Sequence, residues 1–360
     1  MLLTIIIFIA VLAVLILAHE WGHFIIAKRS GLTVEEFGFG FPPRIFSIKR
    51  GGTLYSINLL PLGGFVKILG EDGTGLDNPK SFSSKPVGIR SLITVGGVFM
   101  NFLLAALLLV IGFYIGLPQI IDKDNEMLAK NIEIQIVAVN SGSPAEKADI
   151  KMGDVIKYVK SGNENITVNE ISTIQENINN NKGKEITIAI QRGKEIFEIN
   201  AAPRINPPEG EGALGIALAK TGIISYPWYK SLWLGIKSAF IISWEIIKGF
   251  GELLKNLITS GKIPRDVSGP VGIAVLTNQA ATLGFIYLLQ LVAIISLNLA
   301  VLNLIPFPAL DGGRLLFLGI EKIKGSKVNP KIENAIHSVG IVLLLALVIL
   351  ITYKDILKLK

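Results

Sequence analysis

The chain is 360 residues long, half of them hydrophobic, with no cysteine and a formal net charge of +7. A mean hydropathy of +0.55 points to a polytopic membrane protein with a modest soluble part. Disulfides, iron–sulfur clusters and thiolate metal ligands are excluded. The positive charge is no sign of nucleic-acid binding, because it gathers in two loops between apolar segments.

The first apolar segment runs from about Leu2 to Ala27 and is uncharged as far as Ala18. It lacks a basic start, and a charged motif follows where a cleavage site would have to fall, so it reads as a retained helix rather than a signal peptide. That motif is His19-Glu20-Trp21-Gly22-His23. Four residues apart on a helix, His19 and His23 project from one face and can share one Zn²⁺, with Glu20 beside them as a general base for water. The plainer reading is a structural histidine pair satisfied by headgroups or carbonyls. Ionisable groups within a membrane segment cost roughly 2.5–3.5 kcal/mol each, however, and so mark function.

The following loop carries Lys28, Arg29, Arg44, Lys49, Arg50, Lys67, Lys85 and Arg90. Within it, alternation over Leu54–Asn58 and then Leu60–Lys67, with Pro61, Gly63 and Gly64 at the bend, predicts a β-hairpin. A second span covers Ser91–Gly116, with Asn101 as its main polar interruption. Residues from about Asn131 to Arg204 read as a small αβ domain: strands at Ile132–Val139, Met152–Ile156, Glu185–Ile190 and Lys194–Ile199, and a short helix over Ser143–Ala148. Between Ile223 and Ile263, Trp228, Trp233 and Trp244 alternate with Lys230, Lys237, Lys248 and Lys255, which predicts amphipathic helices at the membrane–water interface. A fifth span around Leu232–Ile247 is disfavoured by Lys237 and Glu245.

The third span lies within the uncharged run Val267–Leu310, its helical core at Thr282–Leu304, and the fourth is Ala335–Tyr353. His337 in the fourth reads as a satisfied polar side chain near a helix end. The loop between these spans carries Arg314, Lys322, Lys324, Lys327 and Lys331. Under the positive-inside rule both basic loops are cytoplasmic, which places the N-terminus, residues 117–266 and the C-terminus outside. The tail lysines Lys354, Lys358 and Lys360 pull weakly the other way.

Two histidines need a third protein ligand for a catalytic zinc site. Asp311 is the candidate, in Asn303-Leu-Ile-Pro-Phe-Pro-Ala-Leu-Asp-Gly-Gly313. Pro306 and Pro308 break the helix, and irregular backbone at membrane depth is tolerated only where it is buried in protein or lines a wet cavity. Gly312 and Gly313 permit a tight turn. An Asp-Gly turn where a helix leaves the bilayer is the bland alternative; two prolines, Asn298 and Asn303 alongside argue against it.

Together these residues resemble the site-2 protease family of intramembrane zinc metalloproteases, bacterial RseP and RasP type. The resemblance covers essentially the whole chain and is carried by His-Glu-x-x-His and the Asn303–Gly313 stretch. It implies zinc bound by His19, His23 and Asp311, Glu20 as catalytic base, and Asn303, Pro306 and Pro308 lining the substrate region. Gly38-Phe-Gly40 looks like the family's membrane-reentrant element, and Leu60–Lys67 is similar to its reentrant β-hairpin, with Gly63, Gly64 and Phe65 meeting the substrate strand. Gly96-Gly97 with Asn101 follows the family's Gly-Pro-x-x-x-Asn, except that Gly97 stands where proline is usual. Ser143-Pro-Ala with Gly153-Asp-Val-Ile156 resembles a PDZ domain, without a clear carboxylate-binding loop.

The expected architecture is therefore a polytopic α-helical membrane protein with about four transmembrane helices, a membrane-reentrant β-hairpin and one extracytoplasmic PDZ-like α/β domain. Residues 1–116 would hold the first two spans, 117–206 the PDZ-like domain, 207–266 the interfacial helices and 267–360 the last two spans. The implied activity is peptide-bond hydrolysis in the bacterial cytoplasmic membrane, on pre-trimmed single-pass membrane proteins such as anti-sigma factors or signal-peptide remnants. The PDZ-like groove would add a peptide ligand or act as a size filter. The rivals are a non-catalytic PDZ-containing scaffold, disfavoured by the intact base and ligand set, and a divalent-metal transporter, which would place ionisable residues on several spans.

Overall fold

The computed structural model describes residues 2–122, 125–161, 164–167, 170–193, 195–261 and 269–358. Lys194, Ile263, Val267 and Lys360, which bound segments read from the sequence, lie outside the described residues. In chain order the chain forms α1 (Leu2–Arg29), β1 (Val34–Arg50), β2 (Thr53–Ile68), α2 (Val87–Ile115), β3 (Leu117–Ile120) and β4 (Lys130–Val139). There follow α3 (Pro144–Lys147), β5 (Val155–Ser161), β6 (Glu164–Thr167), α4 (Ile171–Asn180), β7 (Ile186–Arg192), β8 (Glu195–Ala201) and β9 (Ile216–Ile224). The last elements are α5 (Trp228–Ser260), α6 (Pro270–Leu283), α7 (Phe285–Leu304), α8 (Asp311–Lys324) and α9 (Pro330–Lys358). Two compact units result: residues 1–110, 233–278 and 291–360, and residues 111–232 and 279–290.

Among the described residues four helices are long and apolar enough to cross a membrane: Leu3–Arg29, Val87–Ile115, Phe285–Leu304 and Pro330–Leu357. The protein is a multi-pass membrane protein. At 1.5 Å per residue, a 28-residue helix such as α1 reaches about 42 Å, more than the roughly 30 Å of hydrocarbon it must span. The apolar side chains of α9 face outward along its length, Val342 and Ile349 among them, which suits lipid better than water.

In the first unit, α1 and α2 cross at glycines. A Cβ on Gly22 would lie 2.0 Å from the Gly96 carbonyl oxygen, and one on Gly97 would lie 2.3 Å from His23 Nε2. The bend of the β1–β2 hairpin is Gly51-Gly52, both at positive φ (57° and 79°), the conformation a two-residue hairpin turn demands. A second reversal falls where the sequence places a bend, between Asn58 and Gly64, since Phe39 lies opposite both Ile57 and Gly64; Gly63 and Gly64 themselves are not among the positive-φ glycines. Their smallness serves close approach instead: a Cβ on Gly63 would meet the Phe41 ring at 2.6 Å, and one on Gly64 would meet Ile16 at 2.7 Å and the Glu20 side chain at 3.0 Å. Gly38 and Phe39 are paired within β1, and Gly40 follows at φ of 80°. Phe37 lies opposite both Tyr55 and Val66, and Gly38 opposite both Ser56 and Phe65, so β1 threads between two stretches of β2. Phe24, Leu32, Val34, Phe37, Ile68 and Ile93 form the buried wedge that seats this hairpin on the end of α1.

Among the described residues of 207–266, where interfacial helices are expected, a single helix forms, α5, of 33 residues. It packs on α2, with Gly235 against the backbone of Val110 and the Phe240 ring 4.8 Å from that of Phe102. Ion pairs fix α8: Arg90 forks onto Glu321, and Arg314 pairs with Glu71. Asp355 near the end of α9 accepts hydrogen bonds of 2.8 Å from the Gly269 and Gly272 amides at the start of α6.

The second unit is built on a sheet of order β3-β9-β4-β5-β7-β8, with β6 on β5. Ile136, Ile156, Ile174, Ile188, Ile190 and Leu214 fill its core. The Ser143 hydroxyl caps α3 by accepting from the Glu146 amide, and Arg192 closes on the buried carboxylate of Asp154 at 2.7 and 2.8 Å. The sheet runs past residue 206, the expected edge of this domain, because β9 lies between β3 and β4.

Candidate metal centre

The uninterrupted helix α1 carries His19 and His23 on one face, and the helix break at Ile305–Leu310 brings Asp311 back to them. Gly312 and Gly313 make that return feasible: Cβ atoms there would sit 2.1 Å from the Ile305 carbonyl oxygen and 2.4 Å from that of Phe307. The Nε2 atoms of His19 and His23 are 3.2 Å apart, and Asp311 Oδ2 lies 3.1 and 3.3 Å from them. These are the three residues among those described whose ligand atoms could hold one metal ion, all within 4.8 Å of one another.

Partners behind the rings set which nitrogen faces inward. His23 Nδ1 is 2.8 Å from the Ile93 carbonyl oxygen; a carbonyl only accepts, so Nδ1 carries the proton and Nε2 offers a lone pair. Asn101 holds its amide 3.4 Å from His19 Nδ1, and its buried Oδ1 has no hydrogen-bond partner. Turning that amide over lets Oδ1 accept from the Nδ1 proton and frees Nε2 of His19 as well. The Asn101 backbone oxygen is itself pinned at 2.8 Å by the buried Ser296 hydroxyl.

Two lone pairs and a carboxylate oxygen thus converge, and Asp311 Oδ2 is buried without hydrogen-bond geometry to anything. A cation satisfies all three. Tetrahedral zinc, with bonds of about 2.0–2.1 Å to nitrogen and oxygen, spaces its donors about 3.3 Å apart, and the observed spacings of 3.1 to 3.3 Å fit that demand.

The donors open onto a cavity of about 300 Å³ lined also by Glu20, Gly64, Phe65, Val66, Asn303 and Arg314. Of the residues expected at the substrate, Asn303, Gly64 and Phe65 therefore reach this cavity. Gly63, Pro306 and Pro308 do not line it; Gly63 packs under Phe41, and Pro308 under Gly340. Sequence reasoning missed the Arg314–Glu71 pair on the cavity wall, because neither residue belongs to a motif.

A second concavity, of about 160 Å³, lies within the other unit between Gln175, Ile178 and Asn179 of α4 and the Gly212–Leu218 segment. β3 pairs with β9 only over Thr221–Ile224, so the start of β9 has no strand partner on that side among the described residues. The Ala213-Leu-Gly-Ile216 run beside this groove lies outside the expected domain boundary and went unread.

A membrane helix bearing a carboxylate beside three donors that could hold a metal ion is the arrangement expected of a membrane-embedded metallopeptidase. Comparison with known proteins agrees. Residues 7–347 match the model of peptidase family M50. A Clostridium acetobutylicum protein, named as a candidate zinc metalloprotease, is 35% identical over 354 residues, 97% of this chain and 96% of its own. Zinc metalloprotease RasP of Shouchella clausii is 31% identical over 440 aligned positions, covering 99% of both chains. The regulator of sigma-W protease RasP of Bacillus subtilis is 29% identical over 441, again covering 99% of both. Alignments that long against 360 residues mean that the RasP relatives carry additional chain. The protein belongs to peptidase family M50, and it is a zinc metalloprotease of the site-2 type.

Proposed function

We propose that this protein cuts pre-trimmed single-pass membrane proteins within or near their membrane segments, with His19, His23 and Asp311 holding Zn²⁺ and Glu20 as the base. The observation that carries this reading is the meeting of two imidazoles and a distant carboxylate in one cavity with the Glu20 carboxylate. When bound, zinc supplies Lewis acidity to a water and to the peptide carbonyl. The Glu20 carboxylate takes the proton released as water attacks and passes it to the departing amine.

A helical substrate hides its carbonyls and must be unwound first. Among the described residues, 64–68 of β2 pair with β1 on one side only, and Gly64, Phe65 and Val66 line the cavity. An extended substrate added along that edge would pass the metal, with main-chain hydrogen bonds giving affinity. In this proposal the hairpin is the membrane-reentrant element and Asn303 holds substrate, while Pro306, Pro308 and Gly63, which stand outside the cavity lining, support the segments that carry Asp311 and Gly64.

The N-terminus and the 111–232 unit lie outside the cytoplasm in this reading, and that unit is a single PDZ-like domain whose α4–β9 groove takes an extended peptide. The sigma-W regulator among the relatives suggests anti-sigma factors as substrates, and signal-peptide remnants fit the same site. Cleavage of a model single-pass substrate in detergent tests the activity: Glu20→Gln keeps stoichiometric zinc and loses cleavage. Unimpaired cleavage by that variant would remove Glu20 from the chemistry. Reporters in the loop over 69–86 and in α4 test the topology, with opposite faces expected.

A further inference from the structure

Between α7 and α8 the chain makes a non-helical turn that ends on Asp311, and α9 holds this turn from behind. Ala309, two residues before Asp311, has φ of +79°, a left-handed conformation that an L residue with a Cβ rarely adopts unless its surroundings impose it. The imposing contact is a hydrogen bond from the Ala309 amide to His337 Nδ1 at 3.0 Å. One helical turn further along α9, Gly340 is buried on an otherwise exposed stretch, and a Cβ there would lie 2.6 Å from the Pro308 carbonyl carbon and oxygen. His337 and Gly340 therefore hold the two ends of one peptide unit of the turn, the Pro308–Ala309 amide.

The hydrogen bond also fixes the imidazole. Since Nδ1 accepts, its proton sits on Nε2, which is buried without a hydrogen-bond partner. His337 has left one buried polar atom unpaired while spending the other on a strained amide, a poor arrangement for stability alone.

We propose that His337 is a positioning residue for the hydrolytic reaction: by accepting the Ala309 amide it holds the turn in the conformation that aims Asp311 Oδ2 at the two imidazoles. The inference rests on Asp311 as a zinc ligand. His337 does not line the donor cavity, whereas Ala309 does, so the histidine acts on the site only through the turn it holds.

The chemistry of the acceptor gives the test. In place of His337, asparagine sets its Oδ1 near where Nδ1 was, whereas glutamine sets its Oε1 near where Nε2 was; both are acceptors. In the full-length enzyme in detergent, His337→Gln should lower kcat on the order of ten- to a hundred-fold, the usual effect of misplacing a catalytic group by about an ångström, with KM little changed. It should also speed loss of zinc to a chelator. His337→Asn should regain most of both, and Ala309→Gly, which adopts positive φ without strain, should partly restore His337→Gln. Equal behaviour of the Gln and Asn variants, or a glycine at 309 that restores nothing, overturns the proposal. Asp311→Ala is run alongside: should it keep its zinc, the ligand assignment has failed instead. A variant lost to aggregation is replaced by the Ala309→Gly pair, whose prediction stands on the same turn.

Discussion

Gly22 on α1 lies so close to Gly96 on α2 that a methyl group added to it would sit 2.0 Å from the Gly96 carbonyl oxygen. Two membrane helices meet backbone to backbone here, between His19 and His23. Gly22→Ala must push the helices apart and should cost about 1–3 kcal/mol as overpacking, with zinc lost because both imidazoles ride on the displaced turn. Thermal unfolding in detergent, with zinc content, measures this. Gly249→Ala in α5, where a Cβ meets nothing within 4 Å, should instead gain roughly 0.5–1 kcal/mol.

Asn101 governs His19 without touching the metal. Asn101→Leu leaves Nδ1 of His19 without its polar neighbour at 3.4 Å, and zinc affinity should fall by about 10- to 100-fold, the usual effect of losing such a partner. Competition with a calibrated chelator gives the number. An unchanged affinity would mean that His19 is oriented by α1 alone.

The Arg90–Glu321 pair is buried, with side chains 9% and 13% exposed. Arg90→Met should destabilise the fold by about 3–5 kcal/mol, because it strands an uncompensated carboxylate. The double variant Arg90→Met, Glu321→Met should recover most of that loss. Cleavage per folded molecule should be unchanged in the double variant if the pair is structural, which denaturation and activity assays on one preparation would decide.

How much of this was legible in the chain depends on the range of the signal. His19, Glu20 and His23 announce themselves within one helical turn, and Asp311 stands in an eleven-residue motif of prolines and glycines that breaks a helix for a visible reason. The two glycine pairs of the hairpin were indistinguishable as text: Gly51-Gly52 is needed for positive φ, Gly63-Gly64 for the approach of a strand to α1. β9 went unread because Ile216–Ile224 does not alternate cleanly and its partners are far away in sequence. The grip of His337 on Ala309 is tertiary and left no local trace.

That reading of the glycines makes a further prediction. Gly64→Ala should lower kcat by forcing β2 off α1 at Glu20, whereas Gly52→Ala at the bend should cost only about 1 kcal/mol of stability through its positive φ. Steady-state kinetics beside unfolding curves separates the two.

Zinc stoichiometry and X-ray absorption at the zinc edge, on purified protein and on Asp311→Ala, probe the metal centre directly. The account predicts one zinc per chain with two imidazole nitrogens and a carboxylate oxygen in its shell, and loss of that zinc in the variant. A full complement of zinc in Asp311→Ala with an unaltered spectrum would contradict it.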